Sequence, residues 1–144
     1  MHIRDVMTPN PRTLTPSDSI QSAAQIMRDE DTGAVPVVDN GRTVGMVTDR
    51  DIVVRAIADG SQLSRPVREI VTSAVVTATP EMSTREAALL MSEHQIRRLP
   101  VVDDRERLVG IVSLGDLAVK EGKDSRSGDT LQSISEGVKE RERG

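Results

Sequence analysis

The chain repeats itself, and this constrains its fold more than any other feature. An offset of 64 places residues 3–40 on residues 67–104, and 13 of these 38 positions carry the same residue. Arg4, Thr8, Thr13, Thr15, Pro16, Ser19, Ala23, Ala24, Met27, Pro36, Val37, Val38 and Asp39 each meet their own kind. Chance at ordinary residue usage gives about one match in sixteen. After a one-residue insertion the offset becomes 65, and Val44, Gly45, Val47, Asp51 and Val54 fall on Val109, Gly110, Val112, Asp116 and Val119. A unit this short buries little alone, so the two copies are expected to pack around one shared core.

Both copies predict the same elements. A short β-prone piece, 12–15 or 75–79, ends at a Thr-Pro break. A helix follows, with Ile20, Ala23, Ala24 and Met27 on one face, and Ala87, Ala88 and Met91 in the second copy. Ser83 and Glu86 have the spacing of a capping box. Strands come next at 35–39 and 99–103, each with an early proline that lacks an N–H. Asn40-Gly41 signals a type I′ hairpin, matched by a longer loop at 104–107. Second strands follow at 43–47 and 108–112, then helices starting at Thr48 and Ser113, with Gly60 and Gly122 as stops. The expected class is α/β in the α+β sense, β-α-β-β-α twice, packed as one pseudo-twofold module. The repeats run over 1–62 and 63–122. The polar tail, 123–144, carries Leu131, Ile134 and Val138 at the spacing of a short helix, 129–140.

Composition excludes several functions. There is no cysteine, so disulfides, thiolate catalysis and cysteine-ligated metals are absent. Two histidines, His2 and His94, do not make a metal cluster, and no metal is expected. The chain has no Phe, Tyr or Trp on which bases could stack. Its formal net charge of −4, from 19 basic and 23 acidic residues, argues against nucleic acid as a partner. Met1 leads directly into charged sequence and no apolar run has membrane-spanning length, so a cytoplasmic protein with no membrane partner is expected. No nucleophile and base stand at a recognisable spacing, and the chain is not expected to be an enzyme.

Chemistry concentrates in Gly45-Met46-Val47-Thr48-Asp49-Arg50-Asp51 and its counterpart Gly110-Ile111-Val112-Ser113-Leu114-Gly115-Asp116. Each describes a strand entering a helix, with a hydroxyl at the helix N-terminus and an aspartate three positions on. Backbone N–H groups there favour anions such as phosphate, and the aspartate can accept both hydrogen bonds of a ribose diol. The same spacing is also a helix-capping signature, so cap and ligand contact both remain open.

Together with Val35-Pro36-Val37-Val38-Asp39 and His94-Gln95-Ile96-Arg97-Arg98-Leu99-Pro100-Val101-Val102-Asp103, these motifs resemble CBS domains, a family named for cystathionine β-synthase. The resemblance covers roughly residues 3–120 and is that of the two-repeat Bateman module, found also in IMP dehydrogenase and the γ subunit of AMP-activated kinase. It implies clefts between repeats that bind AMP, ADP, ATP or S-adenosylmethionine, with no cofactor required. Asp51 with Thr48, and Asp116 with Ser113, would hold ribose. Thr15, Gly33 and Ala34, and Thr79, Ile96, Arg97 and Arg98, would line the base pocket, with Met46 and Ile111 against adenine. Arg97 and Arg98 match a phosphate-binding pair, whereas Gly33 and Ala34 carry no charge. Arg50 and Arg55 are looser candidates, otherwise solvated helix residues. The implied function is a regulatory sensor that acts through an unidentified partner protein, as a homodimer. The alternative is a homodimeric scaffold with vestigial clefts.

Overall fold

The computed structural model describes residues 1–72 and 75–121. A 3-10 turn, Ile3–Asp5, precedes strand β1 (Thr8–Pro9) and helix α1 (Ile20–Glu30). Strands β2 (Ala34–Asp39) and β3 (Arg42–Thr48) lead into α2, α-helical over Asp49–Asp51 and π-helical over Ile52–Ile57. After a second 3-10 turn, Val67–Glu69, the plan recurs as α3 (Thr84–His94), β4 (Arg98–Val102), β5 (Leu108–Ser113) and α4 (Leu114–Glu121). The expected tail helix and the Gly122 stop lie outside the described residues.

The local signals act as their chemistry dictates. Ser19 and Ser83 cap α1 and α3, accepting from the amides of Ser22 and Glu86 at 3.0 Å. Both helices close on a left-handed residue, Asp31 (φ 50) or Gln95 (φ 53). The next amides, Thr32 and Ile96, donate back to the carbonyls of Met27 and Met91 at 3.0 Å. Asn40 and Gly41 both have positive φ, 52 and 80, so the hairpin turns as a type I′. Met91 is fully buried on the α3 stripe; in α1 the buried face runs through Ile20, Ala23 and Ile26, with Met27 packed beside it, whereas Ala24, expected on that face, is exposed.

The leading strands at 12–15 and 75–79 shrink to single parallel bridges, Leu14 with Val37 and Ala78 with Val101. The prolines explain this. Leu14 donates to the Pro36 carbonyl at 2.9 Å and accepts from Val38 at 2.7 Å. Extending that ladder in one direction needs an N–H on Pro36, and in the other an N–H on Pro16; neither exists. Pro80 and Pro100 impose the same limit around Ala78. Pro36 stands third in β2, with its missing donor turned toward the edge.

The expected repeat boundaries, 1–62 and 63–122, mark the duplication; the compact units are cut differently. Unit 1 contains Met1–Pro11, Val76–Asp104 and the chain from Val109; unit 2 contains Arg12–Val75 and Arg105–Leu108. Each repeat has lent its leading segment to the other's unit. In unit 2, the β2–β3 pair is completed by Thr72, which exchanges backbone bonds of 3.1 and 3.2 Å with Met46. In unit 1, β1 runs antiparallel to β5, with Thr8 opposite Ile111, giving the order β1-β5-β4.

Each unit also has its own apolar cluster, where the sequence predicts one shared core. In unit 2, Val67 and Ile70 join Leu14, Ile20, Val37 and Val47. In unit 1 their counterparts Ile3 and Val6 join Met91, Leu99, Val101 and Val112. Fully burying such a side chain stabilises by about 1.5–3 kcal/mol, so each lent segment is a substantial part of the unit that receives it. Helix faces turned inward supply the rest, Ala23 and Ala56 in one unit and Ala87 and Leu117 in the other.

The motif glycines permit this exchange. A Cβ on Gly45 would run into the Val71 side chain and lie 2.8 Å from the Thr72 carbonyl oxygen. On Gly110 it would meet Met7 and lie 3.0 Å from the Thr8 carbonyl oxygen. Both glycines serve close backbone approach at a sheet edge. Gly45→Ala should therefore lower stability by about 1–3 kcal/mol through overpacking, read as a lower urea midpoint; an unchanged midpoint would mean the lent segment is not held against β3.

Candidate functional site

The last strand of each repeat delivers its hydroxyl residue to the helix that follows. Thr48 is extended (φ −110, ψ 162) and its hydroxyl accepts from the Asp51 amide at 3.1 Å. Asp51 answers, its Oδ2 accepting from the Thr48 amide at 3.0 Å. The second copy repeats this, with the Asp116 amide donating to the Ser113 hydroxyl at 3.0 Å and the Ser113 amide to Asp116 Oδ2 at 2.9 Å. Both motifs are thus reciprocal capping boxes.

A cap leaves a carboxylate with spare capacity. Its two oxygens offer about four lone-pair positions, and the box uses one. The two copies use the remainder differently. Asp51 is buried, and its Oδ1 lies 3.7 Å from Arg55 Nε. Arg55 also donates to the Ile70 carbonyl at 3.4 Å, tying the helix to the lent segment. Asp116 is half-buried. Among the described residues it makes only its capping bonds. Capping and ligand contact are therefore compatible at both positions.

A second contact gathers more of the predicted residues. The Asp49 amide donates to the Gly33 carbonyl at 2.9 Å, and the Leu114 amide to the Arg97 carbonyl at 2.8 Å. Each bond satisfies one free donor of a helix N-terminus. It also holds Gly33 and Ala34 against Thr48–Asp51 in unit 2, and Arg97 and Arg98 against Ser113–Asp116 in unit 1. Ile96 is half-buried just before this element, Arg97 is exposed and Arg98 half-buried. Met46 and Ile111 alternate with the fully buried Val47 and Val112, so they face away from the helix-covered core.

Thr15 and Thr79 are exposed and are not brought to these clusters within their own units. Leu14 bridges Val37, three residues along β2 from Ala34 and on the far side of that strand from β3. That places Thr15, beside Val38, about 13 Å along the strand from the Thr48 end. Its amide donates to Asp18 Oδ2 at 2.8 Å and its hydroxyl pairs with Ser17 at 3.3 Å. His94 is exposed at the end of α3. A cleft of about 450 Å³ lies elsewhere in unit 2, lined by Arg12, Asp18, Ser22, Gln25, Arg28 and Asp29 among others, with none of the predicted site residues.

One residue was missed by sequence reasoning. Asp49 Oδ2 lies 3.0 Å from where a side chain on Gly33 would begin, and its Oδ1 accepts from the Arg50 amide at 2.8 Å. The signal was available: at offset 65, Asp49 meets Leu114. Among the described residues no three His, Asp or Glu side chains group as a metal site, and no helix is long and apolar enough to cross a membrane.

Comparison with known proteins agrees with the duplicated architecture. The family model of the CBS domain matches residues 3–57 and again 67–120. The CBS domain-containing protein YhcV of Bacillus subtilis is 45% identical over 133 residues, covering 92% of this chain and 94% of its own. The CBS domain pair of protein MJ0100, solved with 5′-methylthioadenosine and S-adenosyl-L-methionine, is 32% identical with a TM-score of 0.78. The match covers 87% of this chain and 98% of that one. CBSX2, solved with AMP, is 26% identical with a TM-score of 0.74 over 85% of this chain and 96% of that one.

The capping geometry carries its own test. Thr48→Ala should cost about 1 kcal/mol of stability, the usual loss of an N-cap, measured by urea denaturation. A cost near zero would show that the box does not hold the start of α2.

Proposed function

The chain belongs to the CBS domain family, and on that premise we propose that it is a regulatory module that binds an adenine nucleotide or related adenosyl ligand and acts through a partner protein. The carrying observation is the duplicated pairing of a capping aspartate, with acceptor capacity to spare, and a pre-strand segment bonded to the same helix start. The ligands of MJ0100 and CBSX2 support the choice of chemistry: all three carry adenine on a ribose ring. Candidates here are AMP, ADP, ATP and S-adenosylmethionine. In this reading the aspartates accept ribose hydroxyls and the protein performs no reaction. Ligand binding regulates by favouring one conformation or assembly, and only as far as affinity differs between states.

A homodimer completes the proposal. Val53, Val54 and Ile57 on α2 are each more than half exposed, with Leu63 close behind in sequence. Such an apolar surface favours burial against a second copy, and closed twofold pairing is the commonest arrangement.

Two measurements test this. In a thermal-shift screen, at least one of AMP, ADP, ATP and S-adenosylmethionine should raise the midpoint by mass action. Calorimetry with the strongest of them should then show Asp51→Ala or Asp116→Ala losing affinity, by up to about 1.5–3 kcal/mol per charge-assisted bond. Two variants that fold and bind like the parent would reduce both aspartates to caps, and no shift with any nucleotide would favour a scaffold instead. For assembly, light scattering should give twice the chain mass, and Val53→Glu with Ile57→Glu should return the monomer. A parent of monomer mass would end the dimer proposal.

A further inference from the structure

We propose that Arg55 positions the Asp51 carboxylate for a ligand and couples that site to the segment lent by the second repeat. The inference rests on the ribose reading above and names the residue through which one of its two aspartates works. Asp51, Arg55 and the lent Ile70 all belong to unit 2. Asp51 is the more deeply placed aspartate, its side chain only 11% exposed. A carboxylate taken that far from water is costly unless hydrogen bonds and a counter-charge meet it. The Thr48 amide supplies the hydrogen bond, donating to Oδ2 at 3.0 Å. Arg55, four residues on in the π-helical stretch, supplies the counter-charge, with Nε 3.7 Å from Oδ1. That separation makes an ionic contact and is too long for a hydrogen bond, so it uses no lone pair of Oδ1. The guanidinium steadies the carboxylate and leaves its free acceptor positions open to a ribose diol.

The other end of the same fork reaches the lent segment. Arg55 Nη1 donates to the Ile70 carbonyl at 3.4 Å. Ile70 is buried with Val67 in the core of unit 2, and the chain beyond it stays docked. The Val71 amide donates to the Val67 carbonyl at 3.0 Å, and the Thr72 amide to the Met46 carbonyl at 3.1 Å. A planar guanidinium with several donors can serve both partners at once. Arg55 is itself 53% exposed, so without the Ile70 anchor it has little to hold it beside Oδ1. A seated segment therefore favours the ligand. By linkage, a bound ligand favours the seated segment by the same factor. Asp116 makes only its capping bonds among the described residues, so the coupling belongs to the Asp51 site.

The test is calorimetry with AMP and with S-adenosylmethionine on the full chain carrying Asp116→Ala, which leaves Asp51 as the ribose acceptor. Arg55→Ala should weaken the ligand by about threefold, the scale of a partly exposed charge pair. Arg55→Gln should do the same where the shorter side chain folds poorly. With Asp116 restored and Asp51→Ala in place, the Arg55 change should have no effect, because it acts through that carboxylate. Hydrogen exchange supplies a readout that a merely structural role does not move. Saturating ligand should slow exchange at Val71 and Thr72 by about threefold more with Arg55 than without it, the factor that linkage requires. Unchanged or tighter binding in the Arg55 variants overturns the inference, as does equal protection of those amides with and without Arg55. Loss of all binding on Asp116→Ala alone also overturns it, since Asp51 then holds no ligand. In each of those results a nucleotide still binds the parent, and the functional reading stands. If neither probe binds the parent, that reading falls and the inference falls with it.

Discussion

The exchange of leading segments is the constraint on which the rest of this structure depends. Ile3 and Val6 sit in the core built mainly by the second repeat, and Val67 and Ile70 in the core built by the first. No compact unit is therefore a continuous stretch of chain. Each unit is completed by a piece that the other repeat carries, so forming either core orders residues belonging to both copies. The entropic cost of closing such loops grows slowly with length, while the apolar side chains brought in contribute about 1.5–3 kcal/mol each. The balance favours exchange, provided the backbones can approach. Gly45 and Gly110 allow that approach. In the sequence these glycines read as part of a ligand motif; their local surroundings show a packing role that holds the motif in place.

Prolines set the opposite limit. Pro16 and Pro36 stop the edge ladder on either side of Leu14, and Pro80 and Pro100 stop it around Ala78. The residues that follow, Thr15 and Thr79, are left exposed rather than locked into a strand. Each unit thus has one sheet edge closed by a lent segment and the other held to a single bridge. The helix starts, with their capping aspartates, lie between those edges at the end of the central hairpin. A rigid hairpin and a reciprocal cap fix each carboxylate without consuming its acceptor capacity, which is what a binding group requires.

Much of this was legible in the residues, and the illegible parts share a cause. Helix stripes, the Asn40-Gly41 turn and the Thr48 and Ser113 caps are local, decided by residues within four positions of one another. The exchange is not local. β1 is two residues long and pairs with a strand about a hundred residues away, and neither propensity nor periodicity reports such a contact. The offset did carry a hint, since Ile3 matches Val67 and Val6 matches Ile70 in apolar character. It could not say which unit each would join. For the candidate site, the cap and the ribose contact looked like rivals because the sequence gives spacing but not lone pairs. Asp49 escaped notice because it fills the space over Gly33, and a missing side chain is visible only beside the atom that takes its place.

The duplication separates what the fold needs from what it tolerates. Positions that hold the architecture agree between copies in identity or character: Gly45 with Gly110, Pro36 with Pro100, Val47 with Val112, Thr48 with Ser113, Asp51 with Asp116. Around one backbone bond the copies part company, and they do so on both sides of it. Gly33 faces Asp49, whereas Arg97 faces Leu114. Had only one partner changed, ordinary surface drift would account for it, because either residue is harmless alone. The combination is more telling. At one corner the Asp49 carboxylate fills the space over the missing side chain of Gly33, 3.0 Å from where that side chain would begin; at the other the helix starts with Leu114. Each change on one side of the bond is thus accompanied by a change on the other. What the copies share is the geometry the fold requires; where they differ, the fold sets no requirement.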